Sequence, residues 1–239
     1  MTMMYDKDQS EAFLARRQDW RADGIADPYY MLASLFEEAT SYMTRIRSLE
    51  ICCADGLAST HCKEARNPSA DDRWFGVEGS HDLVDMAPEW MQVNVGDAHM
   101  TMWPSDMDIV IAPFCLYHLM ADQIIMRVGD VLSPGGTFIN TVMQPHALSE
   151  MFHQWAGLPI SSPWLEIDYG MLGEAVYKAA GLKSVSRHWT DYTVNFGSVD
   201  GALSYYRNTL RSTERDGEPD GDPPTEATMK IFHEVWEKV

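Results

Sequence analysis

Small and acidic residues follow an apolar run near residue 50. Leu49 and Ile51 flank Glu50, and small residues follow them as far as Gly56. Small side chains let the backbone approach a ligand, and the N-terminus of a following helix presents free N–H groups to it. Residues from Leu57 onward suit such a helix. The stretch therefore predicts a strand, a turn and a helix that could bind a nucleotide, and an ordinary buried strand with a turn is the alternative.

Two further acids lie where a nucleotide-binding sheet could use them. The run Trp74–Glu78 predicts a second strand that ends in an acid, 26 positions after Cys52. A carboxylate there can accept hydrogen bonds from both ribose hydroxyls. Asp97 follows a third predicted strand, Gln92–Val95, and could accept a hydrogen bond from the exocyclic amine of an adenine. Taken alone, Asp97 fits a simple turn better.

A fourth predicted strand, Asp108–Ala112, leads into aromatic and imidazole groups. Its unbroken apolar run is typical of a central parallel strand covered on both faces. Pro113, Phe114, Tyr117 and His118 follow it, at the end of the strand where open α/β sheets bind ligands. His118 is the candidate general base, because an imidazole titrates near neutral pH. The alternatives are a histidine packed at a helix start and a tyrosine that fills the core.

The composition narrows the possible partners and location. The chain has 239 residues and a formal net charge of −18. Such a surface repels phosphate backbones and anionic lipids, so we expect neither a nucleic acid nor a membrane partner. The four cysteines have no metal-ligand spacing and no histidine cluster beside them. We therefore expect no metal site and a cytoplasmic protein, with no apolar run long enough to span a membrane.

Alternating strands and helices predict an α/β fold, a Rossmann-like, doubly wound, mostly parallel sheet of seven strands with helices on both faces. A helix capped by Ser80 should bury Leu83, Val84 and Met86. The strong turn Ser133–Gly136 should precede a fifth strand. The later predicted elements are strands at Ser184–His188 and Tyr192–Phe196 and helices at 198–213 and 225–238. The predicted domains are an N-terminal helical lid (1–46), a central domain (47–197) with a substrate-side insertion (143–170), and a C-terminal helical extension (198–239).

Aromatic residues in the lid and in the insertion could line a substrate pocket. They are Tyr5, Tyr29, Tyr30 and Trp155. Ordinary core packing is the alternative for each of them. The helical additions at the two ends could equally form a homodimer interface.

With these pieces in order, the chain resembles the class I S-adenosylmethionine-dependent methyltransferases, and most of all those that act on small molecules. The matching stretches are SLEICCADG, FGVEGS, VGDAHMTMWPSDMDIVIA, FCLYHL and LSPGGTF. The resemblance covers about residues 45–142 and extends more loosely to 196. It implies S-adenosylmethionine as the cofactor and a small-molecule methyl acceptor.

The resemblance also implies a cofactor-binding set along four turns. Glu50, Cys52, Ala54 and Gly56 would lie near the methionine part, Glu78, Gly79 and Ser80 near the ribose, Asp97 and Ala98 at the adenine, and Pro113 and Phe114 near the sulfonium. Phe114 suits that place, because a sulfonium cation is attracted to aromatic faces. Cys52 and Ala54 stand where the family has its first two glycines, and the Cβ of Cys52 narrows the space for a backbone approach.

Three functions follow as hypotheses. The first is methyl transfer to N or O of a small metabolite, with His118 and Tyr117 as the candidate catalytic residues. The second is a methyltransferase-fold protein that does not transfer methyl, either as a non-methylating catalyst or as a binding module. The third, a nicotinamide dehydrogenase, is disfavoured because its first turn needs three glycines and this turn has one.

Overall fold

A computed structural model of the chain describes residues 28–143, 155, 173–205 and 221–239. Tyr5, most of the predicted lid 1–46 and nearly all of the predicted insertion 143–170 lie outside the described residues. Among the described residues, no helix is both long enough and apolar enough to cross a lipid bilayer.

Seven strands form one mixed sheet in the order β3-β2-β1-β4-β5-β7-β6. The first five are mutually parallel where they pair, and β7 lies antiparallel between β5 and β6. The strands are β1 (Arg47–Ile51), β2 (Arg73–Glu78), β3 (Met91–Val95), β4 (Met107–Pro113), β5 (Leu132–Met143), β6 (Leu182–Asn195) and β7 (Glu226–Lys238). The predicted fold class, a Rossmann-like and mostly parallel sheet of seven strands, is confirmed.

Helices cover both faces of this sheet. The described helices are α1 (Tyr30–Thr40), α2 (Leu57–Arg66), α3 (His81–Val84), α4 (Ala121–Val131), α5 (Glu174–Ala179) and α6 (Val199–Tyr205), with a 3₁₀ turn at Leu116–His118. The apolar face of α4 buries Ile124, Ile125 and Val128 against one side of the sheet, and α1 buries Leu32 and Phe36 on the other. Strand β4 therefore lies between two apolar layers, which is why its sequence is apolar almost throughout.

Two predicted elements at the C-terminal end are wrong. The segment 225–238 is the strand β7, not a helix, so the chain does not end in an all-helical extension. All six residues from Ile231 to Trp236 are buried, because β7 pairs with β5 and β6 and is covered on both faces. Their spacing and the flanking Glu and Lys residues also suit a helix, and the tertiary pairing overrides that preference.

The predicted pair of closing strands is one continuous strand, β6. Trp189, Thr190 and Asp191 lie between the two predicted strands, and they pair in register with Phe232, Ile231 and Lys230 of β7. Polar residues are tolerated there because β6 is at the edge of the sheet and half of its side chains face outward.

Two local predictions also need correction. Helix α3 ends at Val84, so Met86 is 45% exposed and lies outside the core. Ser80 is the N-cap residue of α3, but its side chain makes no capping hydrogen bond. The stretch Ser133–Gly136 lies within β5 as an irregularity, with Leu132 paired to Met107 and Thr137 paired to Ile109. Gly135 there has a φ of 78°, which favours glycine.

Buried polar side chains of β5 and β7 form hydrogen bonds on both faces of the sheet. On the α5 face, Glu234 accepts hydrogen bonds from the Tyr177 hydroxyl (3.0 Å) and the Asn140 amide (3.4 Å). On the other face, His233 Nδ1 lies 3.0 Å from the Thr141 hydroxyl. Burial, with a smaller effect of His188, lowers the pKa of His233 from its ordinary 6.5 to about 4. His233 is therefore neutral in the folded protein at pH 7.

The buried His233 should make the folded protein less stable as the pH falls. Its folded pKa lies below its unfolded value, so the unfolded chain binds more protons between pH 6.5 and 4. Its contribution is complete above pH 6.5 and is lost as the pH falls, by up to about 3 kcal/mol. The free energy of unfolding, measured with denaturant at pH 7.5 and pH 5, should change less with pH in His233→Asn than in the wild type. The exposed His81→Asn is the control, and equal pH dependence in all three proteins would contradict the assignment.

Candidate functional site

The turn after β1 keeps a glycine-like backbone with only one glycine. Cys52 (φ 54°), Ala54 (φ 48°) and Gly56 (φ 74°) all lie in the left-handed region. That region costs a residue with a Cβ roughly 1–2 kcal/mol. The path of the backbone is therefore preserved where the resemblance expects two further glycines, at an energetic cost that the surrounding contacts must offset.

The Glu78 carboxylate holds this turn against the end of β2. Its Oε2 accepts the Ala54 N–H at 2.9 Å, and its Oε1 accepts the Ser80 N–H at 2.9 Å. The Cys53 N–H also donates to the Val77 carbonyl at 3.1 Å. A carboxylate has about four lone-pair positions, so Glu78 can hold two backbone groups and still accept hydroxyl donors.

Glu50 secures the helix that follows the turn. It is buried at the end of β1, and its Oε2 accepts the Ser59 N–H at 3.0 Å in the first turn of α2. A negative charge is favourable there, since the first N–H groups of a helix lack intrahelical partners. Glu50 thus ties the end of β1 to the first turn of α2.

The loop after β3 is fixed around Asp97. Asp97 Oδ1 accepts the His99 N–H (2.8 Å) and lies 2.7 Å from His99 Nδ1. His99 Nε2 accepts the Met120 N–H at 3.0 Å, so Nδ1 carries the ring proton and donates it to Asp97. Arg127 of α4 donates to the carbonyls of Ala98 and Thr101. These bonds hold the Asp97 carboxylate at the same edge of the sheet as Glu78.

Aromatic rings meet beyond the end of β4. Phe114 has a φ of 55°, and its N–H donates to the Thr141 carbonyl at 2.7 Å. Its ring meets the Tyr29 ring edge-on, with centroids 5.6 Å apart, and Tyr29 stacks on His61 of α2 at 5.7 Å. The half-buried Phe114 thus belongs to an aromatic cluster that links the end of β4 to the start of α1 and to α2.

His118 ends the 3₁₀ turn that follows this cluster. It is half-buried, and burial lowers its pKa below the ordinary 6.5. The imidazole is therefore neutral at pH 7 and able to accept a proton. The preceding residue, Tyr117, lies in the same 3₁₀ turn.

The predicted substrate residues divide into separate groups. Tyr29 joins the aromatic cluster, but Tyr30 is 73% exposed and turns away from it. Trp155 is half-buried, and Tyr5 lies outside the described residues. Within the described part of the chain, no group of three His, Cys, Asp or Glu side chains could hold a metal ion.

Sequence reasoning missed three residues of this edge. His99 orients Asp97, His61 extends the aromatic cluster, and Cys115 lies buried behind the first turn. Of these three residues, only His99 could have been found from the sequence. It is two positions after Asp97, and side chains at that spacing often form hydrogen bonds within a turn. The other two depend on contacts between elements that are distant in the sequence.

No protein-family model and no curated protein sequence matches this chain. Solved structures do match it in fold. The chain is similar to the cyclase SpnF, with 17% identity and a TM-score of 0.59 over 100% of this chain and 99% of that one. It is also similar to a TehB-like SAM-dependent methyltransferase from Corynebacterium glutamicum, with 13% identity and a TM-score of 0.57 over 98% of this chain and 100% of that one.

A third similar structure is a putative sarcosine dimethylglycine methyltransferase from Galdieria sulphuraria, with 11% identity and a TM-score of 0.54 over 98% of this chain and 91% of that one. Identities this low carry the fold and not the activity. The strand order, the turns at the carboxyl ends of the strands and these likenesses together give the chain the fold of the class I S-adenosylmethionine-dependent methyltransferases.

Proposed function

We propose that this protein binds S-adenosylmethionine at the sheet edge formed by the turns after β1, β2, β3 and β4, and transfers its methyl group to N or O of a small metabolite. The observation that carries the proposal is the left-handed turn from Cys52 to Gly56 tied to Glu78. This turn has the backbone form of a nucleotide cradle, although two of its glycines are replaced.

The residues at this edge fit the cofactor in chemistry. Glu78 retains acceptor capacity for ribose hydroxyls, and Asp97 is held in place to accept from an adenine amine. Phe114 and Tyr29 are aromatic rings in contact at this edge, and the π face of such a ring attracts a sulfonium. When bound, the cofactor supplies an electrophilic methyl group. The protein's share is then to position the acceptor and to take its proton.

The aromatic cluster favours a small, partly apolar acceptor. Tyr29, Phe114 and His61 bring three rings together beside the proposed cofactor edge. Pockets for small molecules are mostly apolar with a few placed polar groups. The net charge of −18 argues against a nucleic acid acceptor. The four free cysteines support the proposed cytoplasmic location.

One observation favours a second function, a non-methylating protein of this fold. Cys52 and Ala54 replace two glycines in the left-handed turn, and the cyclase SpnF is among the similar structures. Incubation with radiolabelled S-adenosylmethionine and a panel of amine, hydroxyl and carboxyl acceptors separates the two. Methyl transfer releases S-adenosylhomocysteine, whereas cofactor that binds and stays intact with every acceptor favours the second function.

Calorimetric titration tests the cofactor site. We expect the wild-type protein to bind S-adenosylmethionine and S-adenosylhomocysteine with micromolar affinity. Asp97→Ala should weaken both by at least about tenfold, or about 1.4 kcal/mol, because the adenine loses a hydrogen-bond acceptor. Glu37→Ala removes an exposed carboxylate of α1 and should change nothing. Absence of binding to the wild type would refute the proposal, and equal binding by Asp97→Ala would refute the role of Asp97.

His118→Gln tests the proposed general base. Once the acceptor panel yields a substrate, turnover should fall about 10²-fold or more in this variant while cofactor affinity is retained. In the wild type, the lowered pKa of His118 means that turnover should be flat above pH 7 and fall only below pH 6.5. His81→Gln, at an exposed histidine, is the control. A turnover equal to that of the wild type would remove His118 from the mechanism.

A further inference from the structure

The imidazole of His99 is hydrogen-bonded to two different elements at the carboxyl edge of the sheet. Its Nδ1 donates to Asp97 Oδ1 at 2.7 Å, within the loop after β3. Its Nε2 accepts the Met120 N–H at 3.0 Å, at the junction between the 3₁₀ turn and α4. One ring therefore joins the carboxylate proposed for the adenine to the backbone two residues after His118.

Met120 lies where the 3₁₀ turn and α4 meet. Its carbonyl accepts two N–H groups from the first turn of α4, at 3.0 and 3.1 Å. The preceding residue, Leu119, donates its N–H to the Leu116 carbonyl at 3.1 Å and closes the 3₁₀ turn. A movement of the Met120 N–H would therefore shift the end of this turn, which carries His118, relative to α4.

The two partners in the Asp97–His99 contact differ in their access to solvent. The His99 side chain is 15% exposed, and the Asp97 side chain is 35% exposed. Arg127 of α4 also holds this loop, through the carbonyls of Ala98 and Thr101. A ligand can therefore reach the carboxylate, while the imidazole bonded to it is mostly enclosed.

A ligand on Asp97 should strengthen both hydrogen bonds of His99. An adenine amine at the carboxylate would exclude water from the Asp97–His99 contact, and a hydrogen bond is electrostatically stronger where water is excluded. Hydrogen bonds in a chain also polarise one another. A carboxylate that binds the Nδ1 proton more firmly therefore makes Nε2 a better acceptor for the Met120 N–H.

We propose that His99 is a positioning residue that couples adenine binding at Asp97 to the 3₁₀ turn Leu116–His118. The adenosine part of the cofactor fixes this turn through the Met120 N–H, and with it the place of the His118 imidazole. The consequence is an ordered reaction, in which the cofactor binds before the acceptor. The coupling rests on the proposed cofactor site, whereas the role of His118 as the base is tested separately.

Amide hydrogen exchange, followed by NMR on the full chain, measures the Met120 N–H directly. We expect saturating S-adenosylhomocysteine to slow the exchange of this amide at least about tenfold in the wild type, which is within the usual range of coupling between two sites. The Ala180 amide, which donates to the Val176 carbonyl at the end of α5, is the internal reference. It corrects for any overall stabilisation of the fold by the ligand.

His99→Asn breaks one of the two bonds and keeps the other. The side-chain amide can still donate to Asp97, but no atom remains to accept the Met120 N–H. This variant should bind S-adenosylhomocysteine as the wild type does in calorimetry, and the ligand should no longer slow exchange at Met120. The matched control is His81→Asn, the same replacement at an exposed histidine, and its Met120 amide should respond as in the wild type.

Each other outcome has a defined meaning. If the wild type binds S-adenosylhomocysteine and exchange at Met120 stays the same relative to Ala180, the coupling is refuted while the cofactor site stands. If the Met120 amide still responds in His99→Asn, the effect does not pass through His99 and its positioning role is refuted. If calorimetry detects no binding to the wild type, the proposed function fails and the coupling fails with it.

Discussion

The ligand edge of this protein depends on one buried carboxylate, that of Glu78. It accepts one N–H from the turn after β1 and one from the turn after β2. Charge-assisted hydrogen bonds of this kind are stronger than those between neutral groups, and they can offset the cost of the left-handed conformations at Cys52 and Ala54. In the proposed function, the same group that shapes the turn would also contact the ribose of the cofactor. Shape and binding chemistry are therefore coupled, and a change at Glu78 should alter both.

Two residues of the turn after β1, Cys52 and Ala54, stand where the resemblance expects glycine. A glycine at such a position would leave room for a ligand and would adopt the left-handed conformation without strain. Here Cys52 and Ala54 keep the left-handed backbone path but add side chains. The Cys115 thiol donates to the Ile51 carbonyl at 3.3 Å and so links the end of β4 to the end of β1 beside this turn.

The sequence was sufficient for the strands whose environment is regular. Strands β1 to β4 each carry an apolar stretch followed by turn residues, so their order and the acid at the end of β2 could be predicted. It failed for β7, because Glu226–Lys238 has helix-forming residues and becomes a strand only between β5 and β6. It failed also for the continuity of β6, whose polar middle is tolerated at a sheet edge. Glu50 and Glu78 were selected from their positions near strand ends, and both carboxylates bond backbone N–H groups at the carboxyl edge of the sheet. His99 was missed although it bonds Asp97 two positions away, whereas His61 and Cys115 were missed because they contact elements that are distant in the sequence.

The central claim is that the turns after β1, β2 and β3 form one binding edge for S-adenosylmethionine. The most direct measurement is a crystal structure of the protein with S-adenosylhomocysteine, obtained by soaking or by co-crystallisation. The account predicts the ribose hydroxyls on Glu78, the adenine amine at Asp97, and the homocysteine part along Cys52–Gly56. A nucleoside bound at another edge of the sheet, or density that leaves these residues without contact to it, would contradict the account.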